Sequence, residues 1–231
     1  MPLPDGRDDG RPVRLGVSAA VHLDVWEFLG GHGSSPGPFA WHRKRDGEDE
    51  GNPKRRLGER MSRARSFAPV EDPDAVILIL GSMPGKASLA AGQYYAHPRN
   101  SFWPIMGELF GAHPGLPYAE RLQVLKSSGI ALWDVIASCT RQSSLDSRIE
   151  PASVVPNDFE SFFRSHPAIR QVFFNGAKAE QCFRRHVRPS LKRQALHYRR
   201  LPSTSPAHAG MSYPEKLNAW RAVKQPIRST Q

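Results

Sequence analysis

Between Ile77 and Ser88 the chain reads ILILGSMPGKAS, an apolar run followed at once by a glycine-bracketed loop with a lysine. That order suits a phosphate cradle, in which backbone N–H groups surround an anion and a lysine neutralises it. The spacing does not. A phosphate loop has four residues between its first glycine and its Gly-Lys-Ser/Thr ending. Here three residues separate Gly81 from Gly85, and Ala87 stands where the magnesium-binding hydroxyl belongs. A shortened loop re-aims its donors and a missing hydroxyl removes a metal ligand, so triphosphate chemistry is set aside. What is left is a strand-end loop, Gly81, Ser82, Met83, Pro84 and Gly85, whose glycines let a ligand come close to backbone N–H groups.

Two further groups of side chains have useful chemistry. QYYAHPRNSFW supplies Gln93, Tyr94, Tyr95, His97 and Asn100, and LPSTSPAHAG supplies Ser203, Thr204, Ser205, Pro206, Ala207 and His208. Asn100 has two readings. Placed before Ser101-Phe102-Trp103 it is a natural helix N-cap; as an amide it can also orient a water or donate to a ligand. Phe102 and Trp103 read as core. Cys139 and Cys182 are the two cysteines. They cannot build a disulfide framework, and no Cys/His spacing suits zinc or an iron–sulfur cluster. Neither metal nor cofactor is expected, and the setting is expected to be cytoplasmic.

The elements that must position these groups alternate. Ala75–Leu80, Gly129–Val135, Gln171–Phe174 and Ala195–Leu201 are short and mainly apolar, as buried parallel strands require. Helical patterns lie between them: one starting near Asn100 or Ser101, one over Tyr118–Ser128, then Asp158–Ser165 and Ala177–Val187. A last helix is announced by Ser212-Tyr213-Pro214-Glu215, a capping box with proline in the first turn. The expected fold is α/β, a three-layer α/β/α domain over 66–225 with a short, mainly parallel four-stranded central sheet. Ligands of such sheets sit beyond the carboxyl ends of the strands. Four segments should converge there: Gly81–Ser88, Asp134–Arg141, Asn175–Lys178 and Pro202–Ala209.

Residues 1–65 are glycine-rich and charged, and are expected to be disordered because they cannot bury enough surface to offset chain entropy. A second reading makes Met61 the true start and the upstream stretch a mis-called extension. Residues 226–231 read as a short tail. Residues 1–60 hold 10 Lys+Arg and 10 Asp+Glu, so the net charge of +10 lies wholly in 61–231. From Arg164 to Arg200 ten basic residues face Glu180 alone. That density points to a polyanion partner, with nucleic acid expected. The longest apolar runs are far short of a membrane span.

GSMPGKASLAAGQYYAHPRNSFW and LPSTSPAHAG, at opposite ends of one α/β domain, resemble the two signature motifs of the uracil-DNA glycosylase superfamily. The wording GSMPG, QYYAHPRN and LPSTSPA is most similar to its hypoxanthine-DNA, or DNA-deoxyinosine, branch. The resemblance spans about Ser66 to Val223. It implies a metal-free enzyme that flips a deaminated base out of DNA and hydrolyses its N-glycosidic bond, with hypoxanthine expected and uracil or a mismatched base the alternative; a monomer is expected. It is also compatible with a non-catalytic DNA-binding module of the same fold.

The resemblance implies roles residue by residue. Met83 stands where the common uracil enzymes have a carboxylate or amide, and cannot act as acid or base, so Asn100 is expected to orient the water. Tyr95 aligns with the base-stacking aromatic, with Tyr94 as its rival. Gly81, Ser82, Met83, Pro84 and Gly85 should face the base. Gln93 either reads a base edge or braces its loop, and His97 either contacts base or phosphate or bonds to backbone. Ser203, Thr204, Ser205, Pro206, Ala207 and His208 should hold phosphates and fill the gap left by the base. His208 stands where the branch often has asparagine, which bears on the opposite base. Apart from the resemblance, Lys178, Arg184, Arg185, Arg199 and Arg200 are generic phosphate candidates on charge alone.

Overall fold

The computed structural model describes residues 62–141, 149–192 and 195–225. The expectations for 1–61 and 226–231 lie outside the described residues. Four parallel strands form the central sheet: β2 (Ile77–Gly81), β3 (Ile130–Asp134), β6 (Gln171–Asn175) and β7 (His197–Leu201), in the order β3-β2-β6-β7. β2 and β3 are buried along their whole length, as a run of apolar residues covered on both faces must be.

Period-two alternation divides the core. Leu78 and Leu80 point into one cluster with Phe159, Phe162, Cys182 and Phe183, from α4 (Phe159–Ser165) and α5 (Ala177–His186). Ile77 and Ile79 point into the other, with Phe102, Trp103, Met106 and Trp220 from α2 (Phe102–Phe110) and α6 (Tyr213–Trp220), and Leu125 from α3 (Tyr118–Ser127). Helix, sheet and helix make three layers. The helix starts follow their sequence signals: Asp158 accepts from the Ser161 N–H at 3.0 Å, and the capping box at Ser212 and Glu215 is fully formed.

Pairing is in register, with Gly81 opposite Asp134, Leu80 opposite Phe174, and Asn175 opposite Leu201. The carboxyl ends of all four strands therefore lie along one edge. β2 runs on to β3 on one side, and the chain then crosses to β6 on the other. The crevice between β2 and β6 is the topological switch point, where such sheets bind ligands.

A second sheet departs from the sequence expectation. Asp134–Arg141, expected as a segment at the strand ends with no strand assigned beyond Val135, continues as a strand: Ile136–Arg141 forms β4. It pairs antiparallel with β1 (Ser62–Arg65) and with β5 (Val155–Pro156). Residues 62–65, read as part of the amino-terminal extension, thus belong to the folded unit. β1 reads SRAR, and three of its four side chains are exposed, so no apolar pattern announces it. The stretch after Gly85 also folds further than expected, into the six-residue helix α1 (Lys86–Ala91), closed by Gly92 at φ +62°.

Candidate active site

A cavity of about 690 Å³ opens at the carboxyl edge of the sheet, within the range of small-molecule sites. One wall is the loop Gly81–Gly85. Another is Tyr95, His97 and Asn100, and the third is the loop Ser203–His208. The two loops that follow β2 and β7 thus share one cleft.

Asn100 holds the start of α2 and also lies on the cavity wall. Its Oδ1 accepts the Phe102 N–H at 2.9 Å at the start of α2, while the residue lines the cavity. That bond fixes the amide. The carbonyl keeps a second lone pair, and the NH2 group has no partner among the described residues. His97 accepts the Arg99 N–H on Nδ1 at 3.1 Å, which ties the ring to its own turn on the cavity wall.

Tyr94 and Tyr95 part company. Tyr94 is buried: its N–H donates to the Tyr118 hydroxyl, its carbonyl accepts from the Trp103 indole, and its own hydroxyl donates to the Ala68 carbonyl. Burial first, and then the charge of Asp134, push the Tyr94 phenol far above its ordinary range, so it remains a donor. Tyr95 lies on the cavity wall at φ +55°, a left-handed conformation that costs a tyrosine about 1–3 kcal/mol and that the surroundings must enforce. One face of its ring stacks on Phe102, with centroids 4.0 Å apart.

Asp134, at the end of β3, is the main polar residue that sequence reasoning missed. It lines the cavity although it is only 3 % exposed, and its Oδ2 accepts from the Ser66 hydroxyl at 2.8 Å. A β-carbon on Gly81 would stand 2.2 Å from Asp134 Oδ1 and 3.0 Å from the Tyr95 hydroxyl. Gly81 is therefore glycine to admit these two groups. In sequence Asp134 is only a carboxylate ending the apolar strand IALWD; strand pairing brings it level with Gly81.

Asn175 was also missed. Its amide clasps the second loop, donating to Thr204 Oγ1 at 2.8 Å and accepting the Thr204 N–H at 2.9 Å. Thr204, expected to face DNA, is instead fully buried, and its carbonyl accepts the Ser101 N–H at 3.0 Å. It braces β6, the second loop and the start of α2 against one another. Ser203 and Ser205 hold the loop's shape by accepting the N–H groups of Ser205 and Ala207. Ala207 and His208 are exposed at the rim. Beneath them the buried Lys216 donates to the His208 carbonyl at 2.8 Å, and desolvation lowers its pKa.

Some expected site residues are not brought to the cavity. Gln93 is off its wall, its N–H closing α1 by donating to the Ser88 carbonyl. Lys178, Arg199 and Arg200 do not line it either, and Arg200 is paired with Glu180 at 3.2 Å. Met83 lines the cavity but is buried in the core cluster with Leu78 and Leu80. Among the described residues no three His, Cys, Asp or Glu side chains gather as a metal site, and no helix is long and apolar enough to cross a membrane.

Residues 68–224 match the family described as the uracil DNA glycosylase superfamily. A protein of Methanosarcina acetivorans named hypoxanthine DNA glycosylase is 35% identical over 160 residues, covering 69% of this chain and 96% of the relative. One of the same name from Methanosarcina barkeri is 38% identical over 116 residues, covering 50% and 72%. A solution NMR structure from M. acetivorans, described as a candidate uracil DNA glycosylase, superposes with a TM-score of 0.57 at 32% identity, covering 71% of this chain and 100% of that one.

Proposed function

Because the chain belongs to the uracil-DNA glycosylase superfamily, we propose that it is a monofunctional DNA glycosylase that removes hypoxanthine from DNA and leaves an abasic site. The observation that carries this reading is the single cavity walled by both signature loops, with Tyr95, Asn100 and Asp134 on it. A base inside a duplex is out of reach, so the nucleotide must swing out into that cavity. The face of Tyr95 turned away from Phe102 stacks on the purine. Asp134, an acceptor when ionised, takes the N1–H of hypoxanthine. Adenine presents a lone pair at N1, which a carboxylate repels, so the same group rejects the undamaged base.

The C1′–N9 bond breaks with its electron pair passing to the purine, leaving a cationic sugar. Water then adds to C1′, and its proton goes to the departing base or to solvent. Asn100 does not titrate and cannot be a general base; its free lone pair orients the water, which suffices when bond breaking runs ahead of attack. The N–H groups of Met83 and Gly85, without partners among the described residues, donate to the base as it becomes anionic. Ala207 and His208, at the rim, occupy the space the base leaves. Lys178, Arg199 and Arg200 contribute to phosphate attraction, Arg200 least because Glu180 already partners it.

Uracil is the second reading, favoured by the description of the solved relative and by its own carbonyl–N–H edge. The test is a set of duplexes carrying one deoxyinosine, deoxyuridine or deoxyadenosine, incubated with excess protein without metal. Free hypoxanthine and alkali-labile sites are expected from the first and none from the third. Faster release of uracil would install the second reading. Binding without release of any base would make the chain a DNA-binding module.

A further inference from the structure

Arg141 ends β4 and is 2 % exposed, a depth at which a guanidinium is seldom found without a carboxylate. Among the described residues it forms no ion pair. Nη2 donates to the backbone carbonyl of Pro84, and Nη1 has no partner among the described residues. A buried cation with no carboxylate partner among the described residues is costly, so its place beside the carbonyl of a cavity-lining residue calls for a reason.

Pro84 supplies that reason. The Pro84–Gly85 peptide is trans, so its carbonyl and the Gly85 N–H point in opposite directions. Arg141 holds the carbonyl from the buried side, which turns the N–H of Gly85 the other way. Both residues line the cavity. A hydrogen bond to the carbonyl also polarises the peptide and strengthens its N–H as a donor.

We propose that Arg141 is a positioning residue for glycosidic cleavage, fixing the Pro84–Gly85 peptide as a donor to the departing base and placing a buried positive charge behind it. This rests on the glycosylase reading. In that reaction the electron pair of the broken C–N bond resides on the purine, so a fixed cation behind the base stabilises the transition state more than the bound substrate. Asp134 sits at the same base with the opposite charge. It serves recognition at N1–H, and Arg141 offsets its field as charge builds on the ring.

The test measures single-turnover release of hypoxanthine from a deoxyinosine duplex, DNA affinity and the unfolding midpoint, for the unaltered protein, Arg141→Gln, Arg141→Lys and Gly85→Pro. Arg141→Gln is expected to slow release at least tenfold with DNA affinity within about twofold, and Arg141→Lys to recover several-fold of that loss by restoring the cation. Gly85 has φ −71°, which proline shares, so Gly85→Pro deletes the N–H while keeping the backbone path. It should lose a comparable factor, and it decides the matter if Arg141→Gln does not fold. Full-rate release by Gly85→Pro or Arg141→Gln overturns the proposal. So does Arg141→Lys being no faster than Arg141→Gln, or a DNA affinity that falls in step with the rate. Failure of the unaltered protein to release any base would instead overturn the glycosylase reading.

Discussion

Asp134 and Asn100 divide the polar work of the proposed reaction according to what a carboxylate and an amide can do. An ionised carboxylate only accepts, which makes Asp134 a reader of N–H; an amide both accepts and donates, which lets Asn100 hold its helix and still face water. Asp134→Asn keeps the shape and the bond from Ser66 but gives the group a donor face. It is expected to slow release from deoxyinosine about tenfold to a hundredfold, the 1.5–3 kcal/mol range of a hydrogen bond to a charged group. It should also narrow the gap between deoxyinosine and deoxyadenosine. Single-turnover rates on the two duplexes check both outcomes. Of these residues Asn100 and Tyr95 were legible in sequence because a motif surrounds them. Asp134 was not, because TrpAsp at a strand end reads as the close of a strand, and only the register of β3 against β2 brings it level with Gly81.

At the scale of elements, β6 and the second loop are held together at Gly176. Its φ is +92°, and a β-carbon there would come within 2.8 Å of the Ser203 side chain. Gly176→Ala is therefore expected to cost on the order of 1–3 kcal/mol in urea unfolding and to displace the loop that Asn175 clasps. Retention of both stability and activity would show that the loop is positioned by something else. β2, β3 and β6 could be read from the sequence since each is a short, mainly apolar run, and α6 from its capping box; β7 reads HYRRL and buries only Leu201. The antiparallel sheet of β1, β4 and β5 could not. β1 is arginine-rich, β5 is two residues long, and β4 carries serine and threonine among its apolar positions. Tertiary pairing, rather than local preference, makes strands of these segments. Thr204 was misplaced for a similar reason. A Ser/Thr/Pro loop reads as exposed, and only the contact with Asn175 turns its hydroxyl inward.

For the molecule as a whole, the parallel register brings the two signature loops to one edge although more than a hundred residues of sequence lie between Gly85 and Ser203. The basic excess of 61–231 suits a chain that must approach a phosphate backbone before it reads a base. Within that excess Glu180 faces two arginines, Arg184 and Arg200, and these are the ion pairs that Lys and Arg side chains form among the described residues. The most direct test of one cavity in which an amide steers water to a flipped purine is single-turnover release from a deoxyinosine duplex. The released base is identified and DNA binding is measured in parallel, for the unaltered protein and Asn100→Ala. The predicted result is free hypoxanthine from the unaltered protein and at least tenfold slower release by Asn100→Ala, about 1.4 kcal/mol of barrier, with DNA affinity retained. Full-rate release by Asn100→Ala would contradict it.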